Sequence, residues 1–330
     1  MERVSYVLPI ATSAPCPDPE LTGYLRGLAP LVDLVVVDGS EPGVFARNHA
    51  AWDGWARHVP PDARTRNGKV GGVVTGLRLA RQEKVVVADD DVRWTPAGLH
   101  EVACALDGAE AVVPQNHYDP CPPHALYDTA RTLLHRAVGG DMPGTLAVRR
   151  SALGPEGYRG DVLFENLELL RTVRARGGRV RWRRDLLVAR RPPETGHFAG
   201  QRVRQAYDEF ARPAYLVAEL ALLPLAVAAV RRRPRSALAL AAAAAALAEV
   251  GRRRDGGRRY FSPAASAVAP LWVAERAVCA WVAVGYRLTG GVPYRGRRLR
   301  TAASPPRRLR NRTAGHGEDP PSRGPDARPA

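Results

Sequence analysis

Short apolar strands alternate with helical segments along the first third of the chain, and this alternation constrains the fold more than any other feature. Four runs rich in β-branched residues end in turn or acidic residues, and they lie at 4–10, 32–40, 84–89 and 109–116. Segments with helical spacing separate them, including 69–82 and 95–106. This pattern predicts a parallel, doubly wound α/β sheet that binds its ligands at the carboxyl ends of the strands.

Three consecutive aspartates, Asp89 to Asp91, stand at the end of the third predicted strand. Residues i and i+2 of a strand point to the same side, so we expect Asp89 and Asp91 to face one ligand while Asp90 faces elsewhere. Carboxylate oxygens suit Mg²⁺ or Mn²⁺, which complete their shells with water and phosphate oxygens. An acidic loop that caps the following helix is the alternative interpretation.

Charge is distributed unevenly along the chain. Residues 1–200 carry 25 Lys and Arg against 24 Asp and Glu, whereas residues 201–330 carry 24 against 9. The first part is typical of a near-neutral globular domain, and the second favours an anionic partner. Its basic runs flank apolar segments without interleaved aromatic residues, which favours a lipid surface over nucleic acid. The four cysteines show no metal-binding spacing, and the N-terminus lacks the features of a signal peptide.

Three apolar stretches, at 214–230, 236–250 and 264–286, follow the predicted sheet. As a helix, the first would reach about 25 Å, whereas a bilayer core is about 30 Å thick. If it crossed outward, the arginine-rich run behind it would lie outside the cell, against the positive-inside tendency. We therefore expect these helices to lie in or dip into the cytoplasmic leaflet, with arginines on anionic lipid. Spanning helices are the alternative.

Several motifs resemble those of glycosyltransferase family 2, in that family's order and at the expected separations. They are RNGK at 66–69, GLRLA at 76–80 and DDD at 89–91, preceded by DGS at 38–40 and followed by GTLAVRRSAL at 144–153 and LFENLELLRTVRARGGRV at 163–180. The resemblance covers roughly residues 4–190. Each motif is weak alone, and their order makes the set more specific.

The resemblance implies a GT-A fold with a mostly parallel, Rossmann-like sheet. It also implies transfer of a sugar from a nucleotide-sugar donor, normally with inversion, by an enzyme of the membrane-associated bacterial type. By position, Asp38 would contact the base or ribose, and Arg66 and Lys69 would approach the diphosphate. Asp91, helped by Asp89, would bind Mg²⁺ or Mn²⁺, and Asp89 would also contact the nucleotide sugar.

The expected general base is where the chain departs from the family pattern. An acceptor hydroxyl needs a base that takes its proton during attack. The family's usual Glu–Asp pair is Glu165–Asn166 here, and an amide cannot accept that proton as a carboxylate does. We expect Glu165 to be the base, with Asp161, Glu168 or loss of activity as alternatives. Glu168 is also explained as a solvated charge on a helix face, close to Arg171.

The segment GHFAGQRVRQAYDE at 196–209 resembles the Q-x-x-R-W motif of processive family members, but the tryptophan is absent. This absence argues against a polymerising synthase. Gln201 and Arg204 either face the diphosphate or lie on an amphipathic helix. His197 is either an additional metal ligand or a surface histidine.

Together these patterns predict a GT-A catalytic domain at 1–200, an apolar and basic membrane-associated helical region at 201–290, and a disordered basic tail at 291–330. The predicted enzyme works at the cytoplasmic face of the cell membrane, on a polyprenyl, lipid-linked or saccharide acceptor of the cell envelope. Nucleic acid is not an expected partner. A nucleotidyltransferase on a similar sheet is one alternative, and a non-catalytic membrane-associated relative that lost its base is another.

Overall fold

A computed structural model describes residues 3–14, 16–63, 65–294 and 297–315. The strands are β1 Ser5–Ile10, β2 Asp33–Asp38, β3 Arg57–Val59, β4 Lys84–Ala88, β5 Val92–Arg93, β6 Ala111–Tyr118, β7 Thr145–Arg149, β8 Val180–Arg190, β9 Val292–Tyr294 and β10 Arg297–Leu299. The α-helices are α1 Pro19–Leu28, α2 Pro42–Trp52, α3 Gly68–Leu79, α4 Pro96–Ala105, α5 Pro123–Val138, α6 Glu165–Ala175, α7 Thr195–Tyr207, α8 Pro213–Arg232, α9 Ser236–Arg253, α10 Pro263–Ala267, α11 Ala269–Leu288 and α12 Pro306–Gly315.

Eight strands form one sheet in the order β3-β2-β1-β4-β7-β6-β8-β5. The half that contains β1 to β4 is parallel, as the sequence predicts. Strand β7 is antiparallel to both β4 and β6, and β5 is antiparallel to β8, while the other six strands of this sheet run in one direction, so the sheet is mixed but mostly parallel. The reason is that the connection through α5 starts and ends at the same edge of the sheet. Strand β3 was not predicted, so the acidic run follows the fourth strand.

The strands of the parallel half are buried on both faces. Val7, Val35 and Val87 belong to one apolar layer, whereas Leu8 and Val36 belong to the other. Burial on both faces is typical of strands that helices cover from two sides. A ligand can therefore reach these strands at their ends rather than at their faces.

Helix α3 packs directly on β1, and its glycines make this contact possible. A Cβ atom added at Gly76 would lie 2.2 Å from Cγ1 of Val7. The glycines weaken the helix as a local prediction, but they let its backbone approach the sheet closely. The side chain of Asn67 caps the helix by accepting the backbone N–H of Lys69 at 3.2 Å. This packing fixes Lys69 in the first turn, at the carboxyl edge of the sheet.

The region after residue 200 shares a core with the sheet region. Helix α7 runs through the predicted boundary at 200, and its Tyr207 packs in one cluster with Leu163 and Leu299. Part of the predicted disordered tail is folded, because Leu299 and Leu309 are buried. The residues at 316–330 lie outside the described part of the chain.

Helices α8, α9 and α11 leave large apolar side chains exposed, among them Leu225 at 66%, Leu238 at 74% and Leu271 at 64%. Within the described residues, α8 is the one helix whose length and composition would let it cross a membrane, with a mean hydropathy of 1.9. The side chain of its Glu219 is buried, and Oε1 of this residue lies 3.9 Å from Nε of Arg276 in α11. The charged groups of this pair therefore face each other, while apolar side chains face outward.

Candidate active site

A cavity of about 750 Å³ lies at the carboxyl ends of β1, β2 and β4. Ile10, Gly39 and the acidic run at 89–91 line it from the sheet. Glu165 of α6, Arg204 of α7 and further residues of α7, α11 and the segment between α7 and α8 line it from the other side. The cavity is therefore at the edge of the sheet where strand–helix alternation predicts a ligand.

Asp89 and Asp91 reach the same guanidinium group, that of Arg190 at the end of β8. Nε of Arg190 donates to Oδ2 of Asp91 at 2.8 Å, and its Nη2 lies 3.8 Å from Oδ2 of Asp89. A Cβ atom added at Gly144 would lie 2.8 Å from Oδ2 of Asp89, so the glycine leaves room for this carboxylate. The two acids and Arg190 thus form a compact charged group beside the cavity.

Asp90 also lines the cavity, contrary to the expectation that it faces elsewhere. Strand β4 ends at Ala88, and the acidic run forms a turn in which the N–H of Val92 donates to the carbonyl of Asp89 at 3.1 Å. The alternation of a strand does not extend through such a turn. All three acids are consequently presented to one space.

Lys69 joins the acidic run to α6. Its Nζ lies 2.5 Å from Oδ1 of Asp89 and 2.7 Å from Oε1 of Glu165. Burial lowers the pKa of Lys69, but the Asp89 and Glu165 carboxylates outweigh burial and hold the pKa above its ordinary value. Three of the residues predicted from sequence therefore meet in one ion-paired group.

Asp38 is placed differently from its predicted role at the base or ribose. It is 1% exposed and is not among the residues that line the cavity. Its carboxylate accepts from Asn48 Nδ2 at 2.8 Å and from the N–H of Ser40 at 2.8 Å, and lies 3.1 Å from Nε2 of His58. These bonds hold the turn after β2, which presents Gly39 to the cavity instead.

The other sequence candidates divide into two groups. Gln201 and Arg204 line the cavity from α7, and the guanidinium of Arg204 lies 5.5 Å from the ring centre of Tyr294. Arg66 is exposed and does not line the cavity. The side chain of His197 lies outside the described part of the chain. Helix α7 thus contributes to the site, whereas the predicted contact of Arg66 with a diphosphate has no support from its position.

The candidates for the base also differ in position. Glu165 and Asn166 both line the cavity, and Nδ2 of Asn166 donates to the carbonyl of Pro143 at 3.0 Å. Asp161 does not line the cavity and pairs with Arg159. Glu165 is therefore the one of the three predicted carboxylates that has access to a ligand.

Glu168 is buried, so its interpretation as a solvated helix-face charge is wrong. Its Oε2 accepts the backbone N–H of Ser304 at 2.6 Å. The segment at 299–304 covers this face of α6, and the N–H of Phe164 donates to the carbonyl of Ala302 at 2.8 Å. Glu168 consequently joins the C-terminal segment to the helix that carries Glu165.

Arg190 and Asp208 are charged residues of the site that were not predicted from sequence. Arg190 follows an apolar run at the end of β8, which is the same kind of position as that of the acidic run. Asp208 lines the cavity at the start of a 3₁₀ turn, Asp208–Ala211, immediately after α7. It lies four residues after Arg204, and residues at that spacing share a helix face, which is the signal that would have identified it.

The acidic run fits a divalent cation by its chemistry. Oδ1 of Asp91 is buried and takes part in no hydrogen bond, so a cation or its water would satisfy it. Among the described residues, no group of three or more His, Cys, Asp or Glu side chains is arranged to hold a metal. Asp89 and Asp91 alone would suit an ion such as Mg²⁺, which one or two carboxylates bind and which phosphate oxygens and water complete.

No protein-family model matches the chain, and no curated protein matches it. A mannosyltransferase from Pyrobaculum calidifontis, in complex with GDP-Man and Mn²⁺, is similar over 82% of this chain and 87% of its own, with 21% identity and a TM-score of 0.51. Glucosyl-3-phosphoglycerate synthase from Mycobacterium tuberculosis, in complex with Mn²⁺, UDP and phosphoglyceric acid, is similar over 60% and 74%, with 21% identity and a TM-score of 0.40. The mixed sheet and the first of these similarities show that the chain has the α/β fold of GT-A glycosyltransferases.

Proposed function

We propose that the protein is a family 2 glycosyltransferase that moves a sugar from a nucleotide-sugar donor to an acceptor hydroxyl or phosphate, with inversion and with Mg²⁺ or Mn²⁺. The observation that carries the proposal is the placement of Lys69, Asp89 and Asp91 around one cavity at the strand ends. The fold, shared with a mannosyltransferase whose structure contains GDP-Man and Mn²⁺, supports it.

Cleavage of the donor leaves a nucleoside diphosphate with additional negative charge. A divalent ion bound by Asp91 and Asp89 supplies Lewis-acid stabilisation of this charge. Lys69 and Arg190 add positive charge at the same place, and both already contact the acidic run. Fixed charges of this kind stabilise a departing anion without needing to reorganise. This side of the cavity is therefore the donor end.

Transfer also requires a base for the acceptor's proton, and inversion places that base on the face of the sugar opposite the leaving group. Among the described residues, four carboxylates line the cavity outside the acidic run, and two of them, Asp141 and Glu209, are paired with Arg131 and Arg212. The remaining two are the candidates: Glu165, predicted from the sequence, and Asp208. This side, formed by α6, α7 and the 3₁₀ turn, is the acceptor end.

We also propose that α8, α9 and α11 rest in the cytoplasmic leaflet of the cell membrane. Exposed apolar side chains lie on all three, and Trp281 of α11 is 48% exposed. Arginines stand at the ends of α8 and α9, where they would meet anionic head groups. Such a surface explains the excess of basic residues after residue 200 without nucleic acid.

A lipid-linked acceptor is consistent with where these helices meet the cavity. Arg212, next to the start of α8, and Arg276 of α11 both line it. The outer faces of the same two helices carry the exposed Leu225 and Leu271. An amphiphilic acceptor would therefore place its polar group at the acceptor end while its apolar part stays near the membrane surface.

Thermal unfolding in the presence of UDP-, GDP- and dTDP-sugars, with and without Mn²⁺, tests the function. We expect one donor class to raise the melting temperature only with Mn²⁺, because a ligand at 100 times its Kd stabilises a protein by about 2.7 kcal/mol. The same donor should release nucleoside diphosphate during turnover. Release of pyrophosphate would identify a nucleotidyltransferase, and the absence of any Mn²⁺-dependent shift would contradict the proposal.

A further inference from the structure

Asp208 occupies a defined position at the acceptor end. It directly follows Tyr207, which is fully buried and whose hydroxyl donates to the carbonyl of Arg300 at 2.9 Å. This anchoring fixes the end of α7. Asp208 lines the same cavity as Glu165 and Asn166, although it belongs to a different element.

The carboxylate of Asp208 has an oxygen without a partner. Its Oδ1 is buried and makes no hydrogen bond. The nearby guanidinium of Arg212 is used by the adjacent Glu209, to which its Nε donates at 2.8 Å, and it also lies 4.6 Å from the ring centre of Tyr215. Arg204, the other cation close to Asp208, lies over the ring of Tyr294. A buried carboxylate oxygen without a hydrogen-bond partner is available to a ligand.

The surroundings also give Asp208 a proton affinity suited to base catalysis. Burial, followed by the negative charge of Glu165, raises the pKa of Asp208 to about 8, with a further increase from Glu209. Arg204 and Arg212 act in the opposite direction and are outweighed. General bases work best when their pKa lies near the working pH.

One oxygen of the Glu165 carboxylate and the amide of Asn166, both on α6, are engaged in other contacts. Oε1 of Glu165 is bonded to Lys69 at 2.7 Å, and Lys69 also holds Asp89. The amide of Asn166, at the position of the family's usual aspartate, donates to Pro143 and has no basic oxygen of comparable strength. Glu165 is thus placed to orient Lys69, which leaves the role of proton acceptor to another group.

We infer that Asp208 takes the proton of the acceptor hydroxyl and that Glu165 is a positioning residue for Lys69. The inference rests on the proposed function. In the step, the acceptor oxygen forms a bond to the anomeric carbon of the sugar while its proton passes to Asp208. The bond from that carbon to the donor phosphate breaks, and its electron pair leaves with the nucleoside diphosphate. Asp208, in the turn after α7, would thus replace the aspartate that is Asn166 on α6 in this chain.

Asp208→Asn and Glu165→Gln, each compared with the wild-type protein, test the inference. The assay measures release of UDP from UDP-glucose and of GDP from GDP-mannose with Mn²⁺, with water as the acceptor. We expect Asp208→Asn to lower the release rate by about 10²–10⁴-fold, while the Mn²⁺-dependent thermal shift by the donor is kept. Glu165→Gln should weaken that thermal shift. If Asp208→Asn keeps its rate within about threefold, the inference is wrong.

A substrate-free measurement tests the same carboxylate. Because the pKa of Asp208 is raised on folding, its contribution to stability is full below the unfolded pKa near 4 and is lost as the pH rises towards about 8. The melting temperature of Asp208→Asn relative to wild type should therefore increase between pH 4 and 8 and level off above. A constant difference would overturn the inference. By contrast, a wild-type protein that binds no nucleotide sugar would overturn the proposed function while leaving this pH dependence in place.

Discussion

The two ends of the cavity differ in how their charged groups are partnered. At the donor end, Lys69 bonds Asp89 and Arg190 bonds Asp91, and Lys69 also reaches across to Glu165 at the acceptor end. These pairs connect α3, α6 and β8 to the turn after β4. Opposite charges in contact offset the loss of water around each group, so the donor end is assembled before any ligand arrives.

At the acceptor end, two buried polar atoms of charged side chains have no hydrogen-bond partner. Oδ1 of Asp208 and Nη1 of Arg276 are both buried without a hydrogen-bond partner, and both residues line the cavity. An unsatisfied buried polar group costs about 1–3 kcal/mol, which a ligand or water recovers by bonding to it. The comparison teaches that ion pairs between the protein's own side chains hold the donor end together, with Oδ1 of Asp91 left for a cation, whereas at the acceptor end Asp208 and Arg276 both keep atoms for what binds there.

The largest effect should come from Asp91→Asn. The variant loses the carboxylate whose Oδ1 has no hydrogen-bond partner. We therefore expect the Mn²⁺-dependent thermal shift by the donor to disappear. Turnover should fall at least about 100-fold, which is a rise of about 2.7 kcal/mol in the activation free energy. Asp107→Asn is the matched control, because Asp107 is exposed beside Lys84 at the other end of β4. A donor shift that survives in Asp91→Asn would contradict the metal assignment.

A smaller effect is expected from Lys69→Met. Two partly buried carboxylates, Asp89 and Glu165, would lose their shared cation, and stability to urea should fall by about 1–3 kcal/mol. Mn²⁺ should restore part of this loss, since it also neutralises the acidic run. The chain's only other lysine provides the control: Lys84→Met leaves Asp107 in water, so Mn²⁺ should not restore its stability. Equal recovery of both variants would mean that the ion binds elsewhere.

The smallest effect concerns the surface behind the acceptor end. Leu225→Glu places a charge on the exposed face of α8. The affinity for vesicles containing anionic phosphatidylglycerol, measured by co-sedimentation, should fall by about 3–10-fold, because one apolar contact with the membrane is lost. Val138→Glu is the control, because Val138 is 57% exposed on α5, outside the three helices. Equal sedimentation of Leu225→Glu and wild type would remove the support for membrane contact through α8.

The predicted elements of the parallel half correspond closely to the observed ones, since apolar periodicity and turn residues are local signals. Strand β3 has three residues, too few to show a period. The direction of β7 depends on where α5 ends, which no local pattern contains. For this reason the chain order predicts the parallel half of the sheet but not which strands run against it.

The site was predicted in part. Asp89 and Asp91, predicted from their place at a strand end, and Lys69 and Glu165, predicted from the family resemblance, line one cavity, and their roles there stay predictions. Asp38 also stands at a strand end, yet its carboxylate turns inward to neighbouring side chains. A strand position predicts the edge of the sheet that a residue occupies, but not the bonds that its side chain makes.

The amino-acid sequence by itself determined the strand ends, the acidic run after β4 and the basic, glycine-rich opening of α3, because burial patterns and turn chemistry act over a few residues. Only the tertiary structure decided that Arg190 and Asp208 join those groups, and that the C-terminal segment buries Glu168 beneath Ser304. These contacts join parts of the chain far apart in sequence, and they depend on how helices pack on the finished sheet.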